Sequence, residues 1–133
     1  MDAVSPDSVH AVVNPVHAAS GPALAALRRA AFDLGRPLVV HTTTPESPGD
    51  VQAHEANVAG ARRVIVIGGD GTVRSVAGAL ASTGVMMGII GAGTANLFAR
   101  NLGLPRRPDA AARVALTGPG RRIDLGWAKF RRG

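Results

Sequence analysis

The segment that most constrains the fold is the apolar run RVIVI at residues 63–67, which is followed directly by GGDGT at residues 68–72. A continuous apolar run of this length is typical of a strand buried on both faces of a parallel sheet. The apolar residues that follow recur at helical spacing, at positions 73, 76, 77 and 80. The glycine turn therefore joins the carboxyl end of a strand to a helix, which is where parallel sheets bind ligands.

The rest of the chain repeats this alternation of strand and helix. Short β-prone runs occupy residues 9–13, 37–41, 86–90 and 122–125, and helical patterns occupy 20–34, about 50–58, a short stretch after 96, and 108–116. Ser20 is a candidate N-cap of the first helix. We therefore expect residues 1–133 to form one α/β domain, with helices on both sides of a mostly parallel sheet in three layers.

A second glycine-rich loop, GAGTAN at residues 91–96, follows the next strand after the first loop. Glycine lets the backbone approach a ligand closely, so that successive N–H groups converge on phosphate oxygens, and the following helix adds its positive end. Thr72 and Thr94 offer a hydroxyl in each loop. Two such loops at one sheet edge predict a phosphate site, whereas a single loop could be a tight connection in which Asp70 caps the helix.

Several other kinds of site are excluded by the residues present. No G-x-G-x-x-G opens the helix after strand one, and no P-loop is present, since the only lysine is Lys129. The chain has no cysteine, its four histidines lack metal-ligand spacing, and no G-x-S-x-G occurs, so thiolate and Ser-His-Asp chemistry have no support. Phosphate chemistry must then depend on backbone amides, hydroxyls, arginine and a metal ion.

Charge and hydropathy bear on partners and location. The net charge of +6 comes from the last quarter of the chain. Surface charge alone does not identify a partner, so we favour an ordinary solvated surface over binding to a specific anionic partner. With only four aromatic residues in the chain, we expect no nucleic-acid binding. The absence of a membrane-length apolar run and of a signal peptide predicts a cytoplasmic protein, peripheral at most to the inner membrane face.

The two loops together resemble a known family. I-G-G-D-G-T after an apolar strand, followed about twenty residues later by G-x-G-T-x-N-x-x-A-R, is similar to the diacylglycerol kinase catalytic domain, which bacterial lipid kinases share with sphingosine and ceramide kinases. The resemblance covers nearly the whole chain. It implies the fold of the amino-terminal domain of NAD kinases and diacylglycerol kinases, and ATP-dependent phosphoryl transfer to a lipid hydroxyl such as that of diacylglycerol at the membrane surface.

The resemblance also implies roles for individual residues. It assigns nucleotide binding to residues of both loops, to the N-P turn after strand one and to a threonine after strand two: Asn14, Thr44, Gly68, Gly69, Asp70, Gly71, Thr72, Gly93, Thr94 and Asn96. A carboxylate cannot face ATP without repulsion, so we expect Mg²⁺ or the acceptor hydroxyl to lie beside Asp70. Asp70 is therefore a candidate metal ligand and a candidate catalytic residue. Asp124 is a second catalytic candidate by resemblance. Leu97 stands where many relatives carry an aspartate.

The resemblance further implies a second, β-rich domain that carries the lipid pocket and the general base. The 133 residues do not include such a domain, so we expect them to form only the nucleotide-binding half. A sheet edge left uncovered would allow dimerisation. Two alternatives stay open: a kinase for a soluble acceptor, as in NAD kinases, whose second loop fits this sequence less well, and a nucleotide-binding module without turnover.

Overall fold

A computed structural model describes residues 7–118 of the chain. Over these residues strands and helices alternate, as the sequence predicts. Their bounds are β1 (Val9–Val13), α1 (Ser20–Asp33), β2 (Leu38–Thr42), α2 (Asp50–Val58), β3 (Arg63–Gly68), α3 (Asp70–Leu80), β4 (Met86–Gly91), α4 (Leu97–Asn101) and α5 (Pro108–Thr117).

The strands form one parallel sheet in the order β2-β1-β3-β4. β1 is a central strand that pairs with β2 on one side and with β3 on the other. The register sets Val13 beside Ile67, and Gly68 beside Gly91. All four strands therefore end at the same edge, and the loops that follow β1, β3 and β4 are neighbours there.

Alternate residues of each strand face opposite helical layers. Val9, Ala11 and Ile65 belong to a buried cluster with α1 and α5, whereas Val12 and Val64 pack with α2, α3 and α4. The central strands are thus buried on both faces, which explains their continuous apolar sequence. The predicted three-layer α/β fold is confirmed.

Some predicted boundaries and contacts differ. β2 begins at Leu38 rather than at position 37, where Pro37 has no N–H and contributes only its carbonyl, which accepts the Val9 N–H at 2.8 Å. The prediction that Ser20 caps α1 is wrong: Ala19 is the N-cap residue without a side-chain cap, and the Ser20 hydroxyl donates to the Asn14 carbonyl at 2.6 Å. The predicted strand at 122–125 lies outside the described residues.

Helix α5 is fixed to the sheet at its carboxyl end. A Cβ on Gly88 of β4 would lie 2.9 Å from the Ala115 carbonyl oxygen, so the helix crosses this glycine at close range. The Arg63 guanidinium donates to the carbonyls of Ala115 at 2.7 Å and Gly118 at 3.1 Å. Burial lowers the pKa of Arg63, and the nearby Arg36 charge lowers it further. These contacts satisfy carbonyls that the last helical turn leaves without partners. Among the described residues no helix has the length and apolar character needed to cross a bilayer.

Candidate nucleotide-binding site

The loop after β1 is held against the loop after β3. The Asn14 N–H donates to the Ile67 carbonyl at 2.9 Å, and the Asn14 side-chain amide donates to Thr72 Oγ1 at 3.2 Å. The Asn14 carboxamide oxygen also accepts the Val16 N–H at 3.1 Å. Together with the bond that its carbonyl accepts from Ser20, Asn14 makes four hydrogen bonds, which hold the predicted N-P turn in place at the sheet edge.

The first glycine loop leads into α3 without a side-chain cap. Gly69 is the N-cap residue of α3, and because glycine has no side chain it makes no side-chain cap. A Cβ on Gly68 would lie 2.9 Å from the Thr72 Cβ, so glycine at this position lets the helix pack back on the strand. The first turn of a helix leaves its N–H groups without intrahelical acceptors and carries the positive end of the dipole. This arrangement favours an anion at the start of α3.

The two glycine loops touch through their backbones. A Cβ on Gly93 would lie 2.6 Å from the Gly69 Cα, a separation that Cβ atoms do not adopt. The Asp70 side chain also joins the loops: its Oδ2 accepts the Leu97 N–H at 2.9 Å and its Oδ1 accepts the Phe98 N–H at 3.0 Å. Asp70 therefore caps α4 of the second loop rather than α3, the helix that it begins.

The second loop is closed by its own asparagine. Asn96 adopts a left-handed conformation, with φ of 50°, and its Oδ1 accepts the Gly93 N–H at 2.8 Å. The Asn96 side chain lies over Gly91, where a Cβ would be 2.7 Å from the Asn96 Cγ. Thr94, between them, is exposed at the tip of the loop. Of the two predicted hydroxyl donors, Thr94 is thus open to a ligand, whereas Thr72 is buried and contacts Asn14.

Thr44 lies at the same sheet edge, but in the turn after β2, on the far side of β1. Its Oγ1 accepts the Ser47 N–H at 3.1 Å, which stabilises that turn. The turn continues to Gly49, whose added Cβ would lie 3.5 Å from the Thr72 carbonyl oxygen. The segment after β2 therefore reaches α3, although β1 lies between β2 and the strand that leads into the first glycine loop. Asp124 lies outside the described residues.

One residue at this edge was not singled out by the sequence. His17 is half-buried, and its Nε2 lies 3.4 Å from the position of a Cβ on Gly69. The four histidines lack metal-ligand spacing, and that criterion does not distinguish His17 from the other three. Its place three residues after Asn14, in a loop that follows a strand of the same sheet, was the available signal.

His10 and His41 form a separate pair away from this edge. His10 is buried, and its Nδ1 is 3.0 Å from His41 Nε2. Burial, and secondarily the His41 ring, lower the pKa of His10. Burial also lowers the pKa of His41, against a smaller opposing effect of the Glu55 carboxylate. The pair is therefore a hydrogen-bonded contact between β1 and β2 in which burial disfavours the protonated form of each ring.

A cleft of about 600 Å³ lies beside the second loop. It is bounded by that loop, α4 and the segment that follows α4, with these lining residues: Gly91, Thr94, Ala95, Asn96, Ala99, Arg100, Gly103, Leu104, Pro105 and Arg106. Its wall combines polar groups of the loop with two guanidinium groups. The cleft is therefore suited to a polar or anionic group that reaches the second loop.

Within residues 7–118, no group of three or more histidine or acidic side chains is arranged to hold a metal ion. Mg²⁺ does not require such a group, because it is commonly bound through one or two carboxylates together with substrate phosphates and water. The single carboxylate of Asp70 at the start of α3 fits that mode of binding.

Comparisons with known proteins show the family of the chain. Residues 8–128 match the family model of the diacylglycerol kinase catalytic domain. The chain is 45% identical over 98 residues to "Probable lipid kinase YegS-like" of Chromohalobacter salexigens, which covers 71% of this chain and 32% of that protein. It is 47% identical over 68 residues to "Diacylglycerol kinase" of Mycobacterium tuberculosis, which covers 50% of this chain and 22% of that protein.

A solved structure shows the same fold. The crystal structure of a diacylglycerol kinase from Bacillus anthracis str. Sterne superposes with a TM-score of 0.69 at 26% identity, over 83% of this chain and 39% of that one. The chain therefore spans well under half the length of the relatives that it matches.

Proposed function

Because this chain belongs to the diacylglycerol kinase catalytic-domain family, we propose that it forms the nucleotide-binding half of a lipid kinase. The reaction is transfer of the γ-phosphoryl group of ATP to the hydroxyl of a lipid such as diacylglycerol. The names of the relatives support a lipid acceptor over a soluble one.

The observation that carries the proposal is the contact of two glycine loops at the uncapped start of α3. A Cβ at Gly93 would lie 2.6 Å from the Gly69 Cα, which leaves no room for it, and a Cβ at Gly69 would lie 3.3 Å from the Gly93 Cα, which is a tight contact. The N–H groups of the first turn of α3 face the same edge, where they can donate to phosphate oxygens. This arrangement supplies the positioning and charge stabilisation on which phosphoryl transfer mainly depends.

The remaining candidates divide into those that build the site and those that face it. Asn14, Asn96 and Thr72 use their side chains on neighbouring loop groups, so we assign them to holding the loops in place. Thr94 is exposed and is proposed to donate to a phosphate. Thr44, after β2, is proposed to contact a more distant part of the nucleotide. The backbone amides of Gly69, Asp70 and Gly71 are proposed to grip the phosphates.

Mg²⁺ is proposed to bind beside Asp70 together with the ATP phosphates. When bound, it would neutralise charge on the phosphate oxygens as the phosphoryl group is transferred. Leu97 supplies no carboxylate at the position where many relatives carry one. A lipid acceptor requires this work to take place at a membrane surface, and we propose that a further domain supplies the acceptor pocket and removes the hydroxyl proton. A catalytic role for Asp124 and dimerisation through the sheet edge stay predictions.

Calorimetric titration of the 133-residue chain with Mg-ATP tests the proposal. Gly69→Val is the informative variant, because a Cβ at Gly69 would already lie 3.3 Å from the Gly93 Cα. Gly78→Val is the matched control, because Gly78 lies within α3 and a Cβ there meets nothing within 4 Å. We expect the wild type and Gly78→Val to bind and Gly69→Val to lose binding. A folded wild-type chain that takes up no Mg-ATP would refute the proposal.

A further inference from the structure

Both oxygens of the Asp70 carboxylate are engaged by the backbone of another element. Oδ2 accepts from Leu97 and Oδ1 accepts from Phe98, the first two residues of α4. Asp70 itself begins α3, whose N-cap residue, Gly69, makes no side-chain cap. The carboxylate therefore spans from the first glycine loop to the helix that follows the second.

We propose that Asp70 is a positioning residue that holds the second glycine loop and α4 against the first loop. Its effect on nucleotide affinity rests on the proposed function, but the positioning itself does not. This role is separate from, and additional to, any contact of Asp70 with Mg²⁺.

The short length of α4 makes an external cap necessary. A helix of five residues is not stable in isolation, because nucleation is unfavourable and few internal hydrogen bonds form. Its own N-cap residue, Asn96, has committed its side-chain oxygen to the Gly93 N–H. Asp70, not Asn96, supplies the acceptor for the N–H groups of Leu97 and Phe98. A carboxylate is the strongest acceptor for such groups, since the hydrogen bonds are charge-assisted and the helix dipole adds to them.

The tight contact of the loops makes this bridge important for binding. Gly69 and Gly93 meet at a distance that tolerates no additional atom, so the position of the second loop determines whether both loops face one ligand. Phe98 packs in part against the buried cluster on this face of the sheet, which anchors the far side of α4. Asp70 thus fixes the end of α4 that lies nearest the proposed phosphate site.

The first test measures amide hydrogen exchange in the nucleotide-free chain by nuclear magnetic resonance. Asp70→Ala is expected to speed exchange of the Leu97 and Phe98 amides by about tenfold or more, because each loses a charged acceptor. Asp70→Asn retains one oxygen acceptor and is expected to fall between the wild type and Asp70→Ala. Asp50→Ala, which removes an exposed acid from the first turn of α2, is the matched control and should leave both amides unchanged. Unchanged exchange in Asp70→Ala would overturn the inference.

The second test compares ATP affinity with Mg²⁺ and with EDTA. A carboxylate that serves only as a metal ligand repels phosphate in EDTA, so its removal would leave Mg-free affinity unchanged or raise it. A positioning carboxylate organises the loop with or without metal, so Asp70→Ala is expected to weaken binding by about tenfold in both conditions. Weakening confined to Mg²⁺ would contradict positioning. A wild-type chain that binds no ATP would refute the proposed function, and the amide exchange would then decide the positioning role.

Discussion

Gly93→Ala tests the contact between the two glycine loops most directly. The added Cβ would lie 2.6 Å from the Gly69 Cα and 3.3 Å from the Asn96 Oδ1. Because the nearest atom is backbone, no change of rotamer relieves the clash, and the loops must separate by roughly 1 Å to reach normal contact. Gly78→Ala is the matched change, since it makes the same chemical substitution in α3 where nothing lies within 4 Å.

The two variants should change the free energy of unfolding in opposite directions. Overpacking at a backbone contact costs about 1–3 kcal/mol, and the reduced freedom of the unfolded chain recovers about 0.4–1 kcal/mol, so Gly93→Ala should destabilise by about 1–2 kcal/mol. Gly78→Ala, in the interior of a helix, should stabilise the chain by about 0.5–1 kcal/mol. The difference between the variants is therefore about 1.5–3 kcal/mol.

Urea unfolding followed by circular dichroism measures both values, and titration with Mg-ATP measures the effect on the site. We expect Gly93→Ala to lose nucleotide affinity and Gly78→Ala to retain it. If the two variants were equally stable and bound Mg-ATP equally well, the loops would not be in contact, and the reasoning from their separation would be refuted.

Three further results are expected. Because the pKa values of His10 and His41 are lowered in the folded chain, the unfolded chain takes up protons first as pH falls below about 6.5. The free energy of unfolding, which these rings leave undiminished above that pH, should then drop by up to about 1.4 kcal/mol per pH unit for each ring. A urea midpoint that stays constant between pH 7.5 and 5 would contradict this. Gly88→Val should destabilise by about 1–3 kcal/mol in the same urea assay by lifting α5 from β4, whereas full retention of stability would argue against that packing. Asn14→Leu should cost about 1–3 kcal/mol by removing the bonds to Thr72 and Val16, and should weaken Mg-ATP binding in calorimetry; wild-type affinity would show that the loop needs no such tie.

The layered fold could be predicted because the apolar sequence of the central strands indicates that both of their faces are buried. Residues 64–67 are apolar without interruption, which only a strand covered on both faces requires, and they are fully buried. Each glycine turn marks the end of its strand to within a residue or two. The predicted bounds of β2 differ by one residue from the observed strand, which begins after Pro37 and whose residues are only partly buried or exposed.

The internal contacts of the site could not be predicted, since they depend on which strands become neighbours. Asp70 reaches Leu97 and Phe98 only because β3 and β4 pair with Gly68 beside Gly91. Sequence alone left the cap of α3 as the simplest structural role of Asp70, because that helix is adjacent in the chain. His17 was missed for a similar reason, since its neighbour Gly69 is more than fifty residues away in sequence. Which residues contact ATP stays a prediction.

The central position of β1 has a consequence for the way the protein is made. β1 leaves the ribosome before both of its partners, and the second of them, β3, is complete only at Gly68. At ordinary rates of synthesis the roughly 55 intervening residues take about 3–11 seconds, during which β1 presents at least one unpaired apolar edge. Asn14 cannot meet Thr72 before that interval ends. The nascent chain therefore passes through a stage in which an unpaired edge of β1 is exposed to aggregation.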